Sequence, residues 1–217
     1  IGTFNKKEKM LLRREIGMLF QNAALFDSMS VLENVMFPLD MFSDKTYKER
    51  VKRAQFCLDR VNLLEAQDKR PDELSGGMRQ RVMISMALAC NPRLIIADEP
   101  TTALDVTIQA QILELINRLK KERKLSIIFI THDLGVVANM ADRIAVMYAG
   151  KIVEYGTAEE VFYDPQHPYT WALLSSMPDL DTNEKLDAIP GTPPNMIYPP
   201  VGDAFAERNK YAMEIDF

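Results

Sequence analysis

The chain has 217 residues, which is enough for one domain or for one domain with an appendage. With 47% hydrophobic and 26% charged residues, it lies close to the average of globular domains, which excludes disordered, collagen-like and small disulfide-stapled chains. The net charge of -5 gives no general positive field, so no nucleic-acid partner is expected.

Two features bear on the cellular compartment. Cys57 and Cys90 stand alone at a spacing that no metal motif uses, so we expect core thiols in a reducing cytosol. No run reaches the roughly 18 to 20 apolar residues that span a bilayer, and the charged start at 6–9 has no signal-peptide core behind it. If the protein works at a membrane, another chain is expected to span it.

The first elements in chain order are a strand and a group of helices. Residues 15–20 form an apolar run that ends at Gln21, which predicts a strand leaving the core into a loop. Residues 31–90 carry amphipathic patterns of helical length, broken at Pro38 and Pro71, which predict a helical subdomain. The spacing of five residues predicts one buried helix face: Val51, Ala54, Cys57, Leu58 and Val61.

Three short apolar runs follow, at residues 94–97, 127–130 and 144–147. A helix is predicted between the first two runs, over about 106–123. Buried strands that alternate with helices indicate an α/β fold with a parallel sheet covered on both faces. From residue 164 onward lie most of the 12 prolines, which predicts an extended, irregular appendage.

Side chains that can bind a metal ion or transfer a proton follow two of these predicted strands. Asp98 and Glu99 come after the run at 94–97, and His132 follows the run at 127–130. Because the carboxyl ends of parallel strands meet at one edge, where α/β sheets bind ligands, we expect these residues at the same edge. In a phosphate-handling site the first carboxylate would hold Mg²⁺ and the second would orient or deprotonate an attacking water. Taken alone, an Asp-Glu pair after an apolar run is more often just an exposed strand end, and a lone histidine more often has a structural role.

A third feature is the segment Leu-Ser-Gly-Gly-Met-Arg-Gln-Arg at 74–81, directly before an apolar helix at 82–89. In isolation, Ser75 is most often an N-cap and nothing more. Gly76 and Gly77, however, would expose backbone N–H groups at the positive end of a helix, which is how proteins bind phosphate. The segment alone leaves both interpretations open.

The conjunction of these elements identifies a family resemblance. Over essentially its whole length the sequence resembles the nucleotide-binding subunit of an ATP-binding cassette (ABC) transporter. Five motifs of that family match in the right order, and such a match is highly specific. Gln21 matches the Q-loop, and residues 74–77 match the signature, followed by Met78 where Gln is commoner. Residues 94–99 match the Walker B strand, residues 102–105 match the D-loop, and His132 matches the switch histidine. The resemblance implies a P-loop ATPase fold with an inserted helical subdomain.

The resemblance also implies a role in ATP hydrolysis for each of these residues. Four would carry the catalytic and metal-binding roles: Asp98 helps to hold Mg²⁺, Glu99 is the catalytic base, His132 contacts the γ-phosphate, and Gln21 senses Mg²⁺ and transporter contact. Four would bind nucleotide: Ser75, Gly76, Gly77 and Asp105. The signature residues 75–77 would act in trans, because family members sandwich two ATP molecules between head-to-tail subunits.

Partners and location are implied in the same way. The expected partners are a second ABC ATPase subunit, identical or different, transmembrane permease subunits and, indirectly, an extracytoplasmic substrate-binding protein. The expected location is the cytoplasmic face of the cell membrane, peripheral through the permease. The predicted organisation is a partial core with the Q-loop at 1–30, a helical subdomain ending in the signature at 31–90, the core with Walker B, D-loop and H-loop at 91–163, and a Pro-rich extension at 164–217.

One part of the family's machinery is absent from these 217 residues. A P-loop requires Gly-x-x-x-x-Gly-Lys-Ser/Thr, whose amides and lysine cradle the phosphates. Gly150 is the one glycine before a lysine, but Ile152 follows Lys151 and Ala145 stands at the first glycine's place. In the family the P-loop precedes the Q-loop, and only 20 residues precede Gln21. We therefore expect a truncated chain whose core lacks its first strand and Walker A, and which is inactive by itself.

The two halves of the chain resemble different branches of the family. From Met78 to the end, including 97–111 and 165–170, the sequence is similar to the ATPases of oligopeptide and dipeptide importers. The stretch 17–29 looks instead like the ATPases of bacterial lipid trafficking, with Asn22 after the Q-loop glutamine where peptide importers more often carry Asp-Pro. Peptide uptake is the favoured function. The alternatives are lipid trafficking, a soluble ABC ATPase of translation or DNA repair, and a non-catalytic fragment.

Two expectations concern the C-terminal tail. Many peptide-importer ATPases end in a cysteine motif that can hold an iron–sulfur centre, but the matching positions here carry Asp203, Asn209 and Asp216, so no cluster is expected. The tail is expected to pack against the core or a partner through four residues: Phe205, Tyr211, Met213 and Ile215.

The segment 22–41 is expected to select the permease through its apolar residues, and packing in the core is the alternative for them: Leu25, Phe26, Met29, Val35, Met36 and Phe37.

Overall fold

A computed structural model describes residues 4–21, 24–102, 104–176 and 189–216. The chain divides into two compact units, 1–132 and 133–217, so the four-part organisation drawn from the sequence stays a prediction. The first unit contains α1 (Lys6–Glu15), β1 (Ile16–Leu19), α2 (Val31–Phe42), α3 (Tyr47–Arg60), α4 (Gly76–Ala89), β2 (Leu94–Asp98), α5 (Val106–Arg123) and β3 (Ser126–Ile130). The second contains α6 (Leu134–Met140), β4 (Arg143–Tyr148), β5 (Lys151–Thr157), α7 (Ala158–Tyr163) and α8 (Pro168–Ser175).

The sheet of the first unit has the strand order β1-β2-β3, and both pairings are parallel. The parallel sheet predicted from the apolar runs at 94–97 and 127–130 is therefore confirmed. Strand β1 packs closely on α4 at Gly17, where a Cβ atom would lie 2.6 Å from the carbonyl oxygen of Ala87. Only glycine fits this approach without a shift of the backbone.

Helices α2, α3 and α4 pack against one another, and α4 also contacts strand β1. Four of the five residues predicted for the buried helix face are buried, namely Ala54, Cys57, Leu58 and Val61, whereas Val51 is half-buried. A capping box begins α2, where Ser30 and Glu33 satisfy each other's backbone N–H groups. Cys57 is buried and Cys90 half-buried, and burial raises the pKa of both thiols. Both cysteines are thus core thiols that stay protonated near neutral pH.

Helix α5 has the bounds that the sequence predicts. The side chain of Asp105 caps its start by accepting a hydrogen bond from the Ile108 N–H, and Lys124, with φ of 51°, ends it in the left-handed conformation. One face of the helix is buried: Ile112, Leu115, Ile116 and Leu119. No helix in the described parts of the chain is both long and apolar enough to cross a membrane.

The second unit contains a two-stranded sheet in which β4 and β5 run antiparallel. The placement of the apolar run at 144–147 in the parallel sheet was therefore wrong. The physical reason is the two-residue turn at Ala149 and Gly150, whose φ angles of 47° and 76° return the chain directly into β5. Such turns form hairpins, whereas a parallel partner requires a crossover connection.

In the described residues of the C-terminal tail, 164–176 and 189–216, one helix, α8, is followed by short turns, including 3-10 turns at Ala206–Arg208 and Glu214–Asp216. Phe205 is 2% exposed and packs edge-on against Tyr148 and Tyr169, with ring centroids 5.3 and 5.4 Å apart. The other three residues expected to pack against the core or a partner are mostly exposed, so packing against a partner stays a prediction for them: Tyr211, Met213 and Ile215. They lie in two consecutive turns, at 209–212 and 213–216.

Candidate functional site

The three strands of the parallel sheet end at one edge. Leu19 pairs with Ala97, and Asp98 pairs with Ile130, so the chain leaves β1, β2 and β3 at the same level. Gln21 follows β1, Glu99 follows β2, and His132 follows β3. The parallel register confirms the common edge that the sequence predicts for Glu99 and His132, and it adds Gln21 to that edge.

Glu99 and His132 are in direct contact at this edge. Glu99 Oε1 lies 2.6 Å from His132 Nδ1. Because an ionised carboxylate can only accept hydrogen bonds, we assign the proton to His132 Nδ1. The Glu99 side chain is 17% exposed and that of His132 is 78% exposed, so the protein surrounds the carboxylate and presents the imidazole to solvent.

Thr102 also binds Glu99, and sequence reasoning assigned no role to this residue beyond its place in the D-loop. The Thr102 hydroxyl donates to Glu99 Oε2 at 2.7 Å, and the Thr102 N–H donates to the Glu99 carbonyl at 3.2 Å. The signal available in the sequence is a hydroxyl residue three positions after the carboxylate, which is a turn spacing. That spacing alone does not say that the two side chains face each other.

The pKa of Glu99 lies below its ordinary value. Partial burial raises it, but the hydrogen bonds from His132 and Thr102 outweigh burial and lower it. The carboxylate is therefore ionised at neutral pH, which is the state that can accept a proton.

The backbone of Glu99 is held in an uncommon conformation. Its φ angle is 47°, in the left-handed region that non-glycine residues seldom adopt, and its N–H donates to the carbonyl of Ile130 at 2.9 Å. Such a conformation costs about 1–3 kcal/mol. It persists because the hydrogen bond to the end of β3 fixes the turn, and it aims the Glu99 side chain toward His132.

The glycine pair of the signature begins α4 and packs on the start of α5. Ser75 Oγ accepts a hydrogen bond from the Met78 N–H at 3.3 Å, so the N-cap interpretation of Ser75 is confirmed. A Cβ at Gly77 would lie 2.7 Å from Ile108 Cγ2, and one at Gly76 would lie 3.5 Å from Leu104 Cδ2. Ser75 and Gly76 remain exposed. The helix start thus presents its N–H groups at the surface beside the helix that Asp105 caps, an arrangement suited to an anion.

Asp98 is the candidate metal ligand. It ends β2 and is half-buried at the same edge as Glu99. No group of three or more potential ligands lies together among the residues that the structure describes. Magnesium does not require one, because it is usually held by one or two carboxylates together with water and substrate phosphates. The residues present therefore fit Mg²⁺ bound with a nucleotide.

The segment after the Q-loop is part core and part surface, and Asn22 and Ala23 lie outside the described residues. Val35 and Met36 are buried, whereas Phe26 is 41% exposed and lies against Phe37 with ring centroids 4.6 Å apart. Leu25, Met29 and Phe37 are half-buried. The buried Asn34 side chain fixes the loop by accepting from the N–H of Phe26 and by donating to carbonyls of Phe26, Met29 and Ser30.

Comparison with known proteins places the site in context. The family model described as "ABC transporter" matches residues 2–102, and that described as "Oligopeptide/dipeptide transporter, C-terminal region" matches residues 153–215. The oligopeptide transport ATP-binding protein OppD of Bacillus subtilis is 58% identical over 98% of this chain and 62% of its own length. OppD of Salmonella typhimurium is 49% identical over 99% of this chain and 68% of its own length.

Solved structures agree with the sequence comparison. The ATP-binding cassette MJ0796, in a dimeric post-hydrolysis state bound to ADP and Pi, superimposes with a TM-score of 0.63 at 34% identity, over 72% of this chain and 68% of that protein. The likeness confirms the α/β fold of the nucleotide-binding cassette. The chain spans about three-fifths of the length of the first curated relatives that it matches.

Proposed function

Because this chain belongs to the family of ABC transporter ATP-binding proteins, and within it to the oligopeptide and dipeptide transport group, we propose that it serves ATP-driven peptide import. The observation that supports the catalytic part most directly is the 2.6 Å contact between Glu99 Oε1 and His132 Nδ1 at the carboxyl edge of the parallel sheet. The match of 153–215 to the C-terminal region of peptide transporters supports the substrate class.

Glu99 is the base in this proposal. Its lowered pKa keeps it ionised, so it can take a proton from the water that attacks the γ-phosphate. Thr102 and His132 orient the carboxylate by binding one oxygen each. Since Nδ1 of His132 faces Glu99, we assign Nε2 to the γ-phosphate contact.

The other site residues support binding of the nucleotide. Asp98 would hold Mg²⁺, which neutralises the charge of the phosphates when it is bound. Gln21, at the end of the neighbouring strand, would sense the metal and the transporter. Ser75, Gly76, Gly77 and Asp105 would contact ATP held by a second ATPase subunit, since the exposed start of α4 offers N–H groups to an anion.

The permease is the third component of the proposal. The surface formed by Phe26 and Phe37 is apolar and partly exposed, and the buried Asn34 fixes its loop. We assign this surface to permease docking, which would place the ATPase at the cytoplasmic face of the membrane as a peripheral subunit. An extracytoplasmic binding protein would contact the same transporter indirectly.

We expect these 217 residues alone to bind ATP weakly and not to hydrolyse it, because they contain no P-loop to hold the phosphates. Isothermal titration with Mg-ATP, together with a phosphate-release assay, measures both properties. A version joined to a P-loop segment from a relative serves as the positive control. Micromolar affinity and steady turnover by the 217 residues alone would contradict the expectation.

The substrate class is tested by complementation. A P-loop-completed version should restore growth on peptides to a strain that lacks its peptide-importer ATPase, because the similarity to OppD covers 98% of the chain, the Q-loop region included. Lipid trafficking is the second candidate, favoured by the sequence of 17–29 alone. Rescue confined to a lipid-trafficking mutant would reject peptide import. The matched control carries Glu99→Gln and should rescue neither strain.

A further inference from the structure

Asp203, Asn209 and Asp216 are the tail residues at which the family resemblance implies the thiolates of an iron–sulfur centre, and each side chain here accepts a hydrogen bond from the backbone. Asp203 Oδ1 accepts a hydrogen bond from the Phe205 N–H at 3.1 Å. Asn209 Oδ1 accepts one from the Tyr211 N–H at 3.0 Å, and Asp216 Oδ2 accepts one from the Met213 N–H at 2.8 Å. All three side chains thus close turns of their own backbone.

The two ends of this segment are joined directly. The Asp203 N–H donates to the Asp216 carbonyl at 2.8 Å, so residues 203–216 form a closed loop. Both cysteines of the chain lie elsewhere, at positions 57 and 90. Iron–sulfur clusters are held by thiolates. The donors present therefore do not fit a cluster, and their oxygens already serve the backbone.

The closed loop is also anchored to the rest of the second unit. The ring of Phe205 packs edge-on against both Tyr148 and Tyr169, whose own rings are in contact. The Arg208 guanidinium donates to the carbonyls of Pro190 and Gly191 at 2.7 and 3.3 Å, and to the Tyr148 hydroxyl at 3.0 Å. These contacts hold the loop from its inner side, where Ala204, Phe205 and Ala206 are buried.

We propose that residues 203–216 form a metal-independent clasp, in which the side-chain oxygens of Asp203, Asn209 and Asp216 do by hydrogen bonding what a cluster does by ligation. The clasp keeps Phe205 in its aromatic site whether or not iron is supplied and whether the surroundings are oxidising or reducing. A transporter that carries this ATPase would therefore keep the same tail conformation under iron limitation. The proposal does not depend on the substrate or on ATP hydrolysis.

Hydrogen–deuterium exchange of the full chain, resolved to single amides, tests the proposal. Asp203→Ala, Asn209→Ala and Asp216→Ala should each accelerate exchange about tenfold at the N–H that loses its acceptor, namely Phe205, Tyr211 and Met213. The conservative variants Asp203→Asn, Asn209→Asp and Asp216→Asn keep an oxygen at each position and should stay close to the unaltered protein. The amides of β1 to β3 are the internal reference.

A second arm varies the metal. Protein dialysed in air against EDTA and protein reconstituted anaerobically with iron and sulfide should show the same protection across 203–216. Protection that appears only after reconstitution would overturn the proposal. Alanine variants whose amides exchange like those of the unaltered protein would also overturn it. So would conservative variants whose amides exchange much faster than those of the unaltered protein. This second comparison decides the case if an alanine variant unfolds.

Discussion

The two units position their important side chains by different means. In the first unit, Glu99 and His132 meet because two parallel strands end in register at one edge. In the second unit, Phe205 reaches its site through a succession of short turns, each closed by one side chain. Regular elements fix a site through many equivalent backbone bonds, whereas a turn-built segment depends on a few individual residues.

The two units also differ in charge. Acidic residues clearly outnumber basic ones in 133–217, whereas basic residues outnumber acidic ones in 1–132. In the second unit, carboxylates such as those of Glu154 and Asp203 accept hydrogen bonds from backbone N–H groups. Loss of the Glu154 charge in acid should therefore weaken this unit.

The largest effect is expected from Glu99→Gln, which removes the base at the sheet edge. In a version completed with a P-loop, the turnover of ATP should fall by about 10²- to 10⁴-fold while ATP binding is kept, because the amide is nearly isosteric but does not accept the proton of water. Steady-state phosphate release and titration with Mg-ATP measure the two quantities.

Thr102→Val is the matched control for this prediction. It removes the hydroxyl that orients Glu99 Oε2 and leaves the base in place. Its loss of turnover should be smaller than that of Glu99→Gln. A Glu99→Gln protein that also fails to bind ATP, or that hydrolyses it at the unaltered rate, would show that the role assigned to Glu99 is wrong.

The next effect concerns the tail. Phe205→Ala removes a ring that is 2% exposed and should lower the free energy of unfolding of the second unit by about 3–5 kcal/mol, because it leaves a cavity among aromatic rings. Tyr211→Ala, in the same tail but 73% exposed, should change it by less than about 0.5 kcal/mol. Amide exchange of β4 and β5 during urea titration measures both. Equal effects of the two substitutions would show that the turns, rather than the buried ring, hold the tail.

The smallest effect is a pH dependence at Glu154, which accepts hydrogen bonds from the N–H groups of Gln166 and His167 at 2.7 and 3.1 Å. Partial burial raises its pKa, but the Thr170 side chain and these backbone hydrogen bonds together lower it below the ordinary value. Its stabilising contribution is therefore present above the ordinary pKa of about 4.3 and is lost as pH falls through the lowered pKa of the folded state.

Glu154→Gln should remove this acid-dependent component from the second unit, an effect of less than about 1 kcal/mol because solvent screens the carboxylate. Unfolding curves over about pH 3 to 6, a range that includes the ordinary pKa and the region below it, measure it. Glu159→Gln on the exposed side of α7 is the control and should keep the dependence of the unaltered protein. If both variants titrate alike, Glu154 does not contribute the acid sensitivity.

Sequence reasoning succeeded where periodicity determines structure. The apolar runs at 94–97 and 127–130 predict parallel strands, and the common edge of Asp98, Glu99 and His132 follows from that alone. Helix α5 is predicted with its bounds because the stretch between the first two apolar runs is rich in Gln, Leu, Glu and Lys, which favour helices. These features depend on neighbours in sequence or on a single repeated pattern.

It failed where contacts depend on three-dimensional geometry. The hydroxyl of Thr102 reaches Glu99 because Glu99 adopts a left-handed φ. No sequence pattern predicts this conformation at a non-glycine residue. The run at 144–147 is as apolar as a parallel strand, and the tight turn at Ala149 and Gly150 decides its pairing instead. Exposure of Tyr211, beside the burial of Phe205, follows from turns that composition does not reveal.

Strand β3, which delivers His132, has a consequence for handling the protein. It pairs with β2 and forms the outer strand of the sheet that the structure describes, with Ile128 and Ile130 50% and 47% exposed. Its sequence, Ser-Ile-Ile-Phe-Ile, contains no charge and no proline to discourage a further strand. Such an edge is a template for intermolecular pairing, so concentrated solutions of these 217 residues should aggregate through β3 unless another segment covers it.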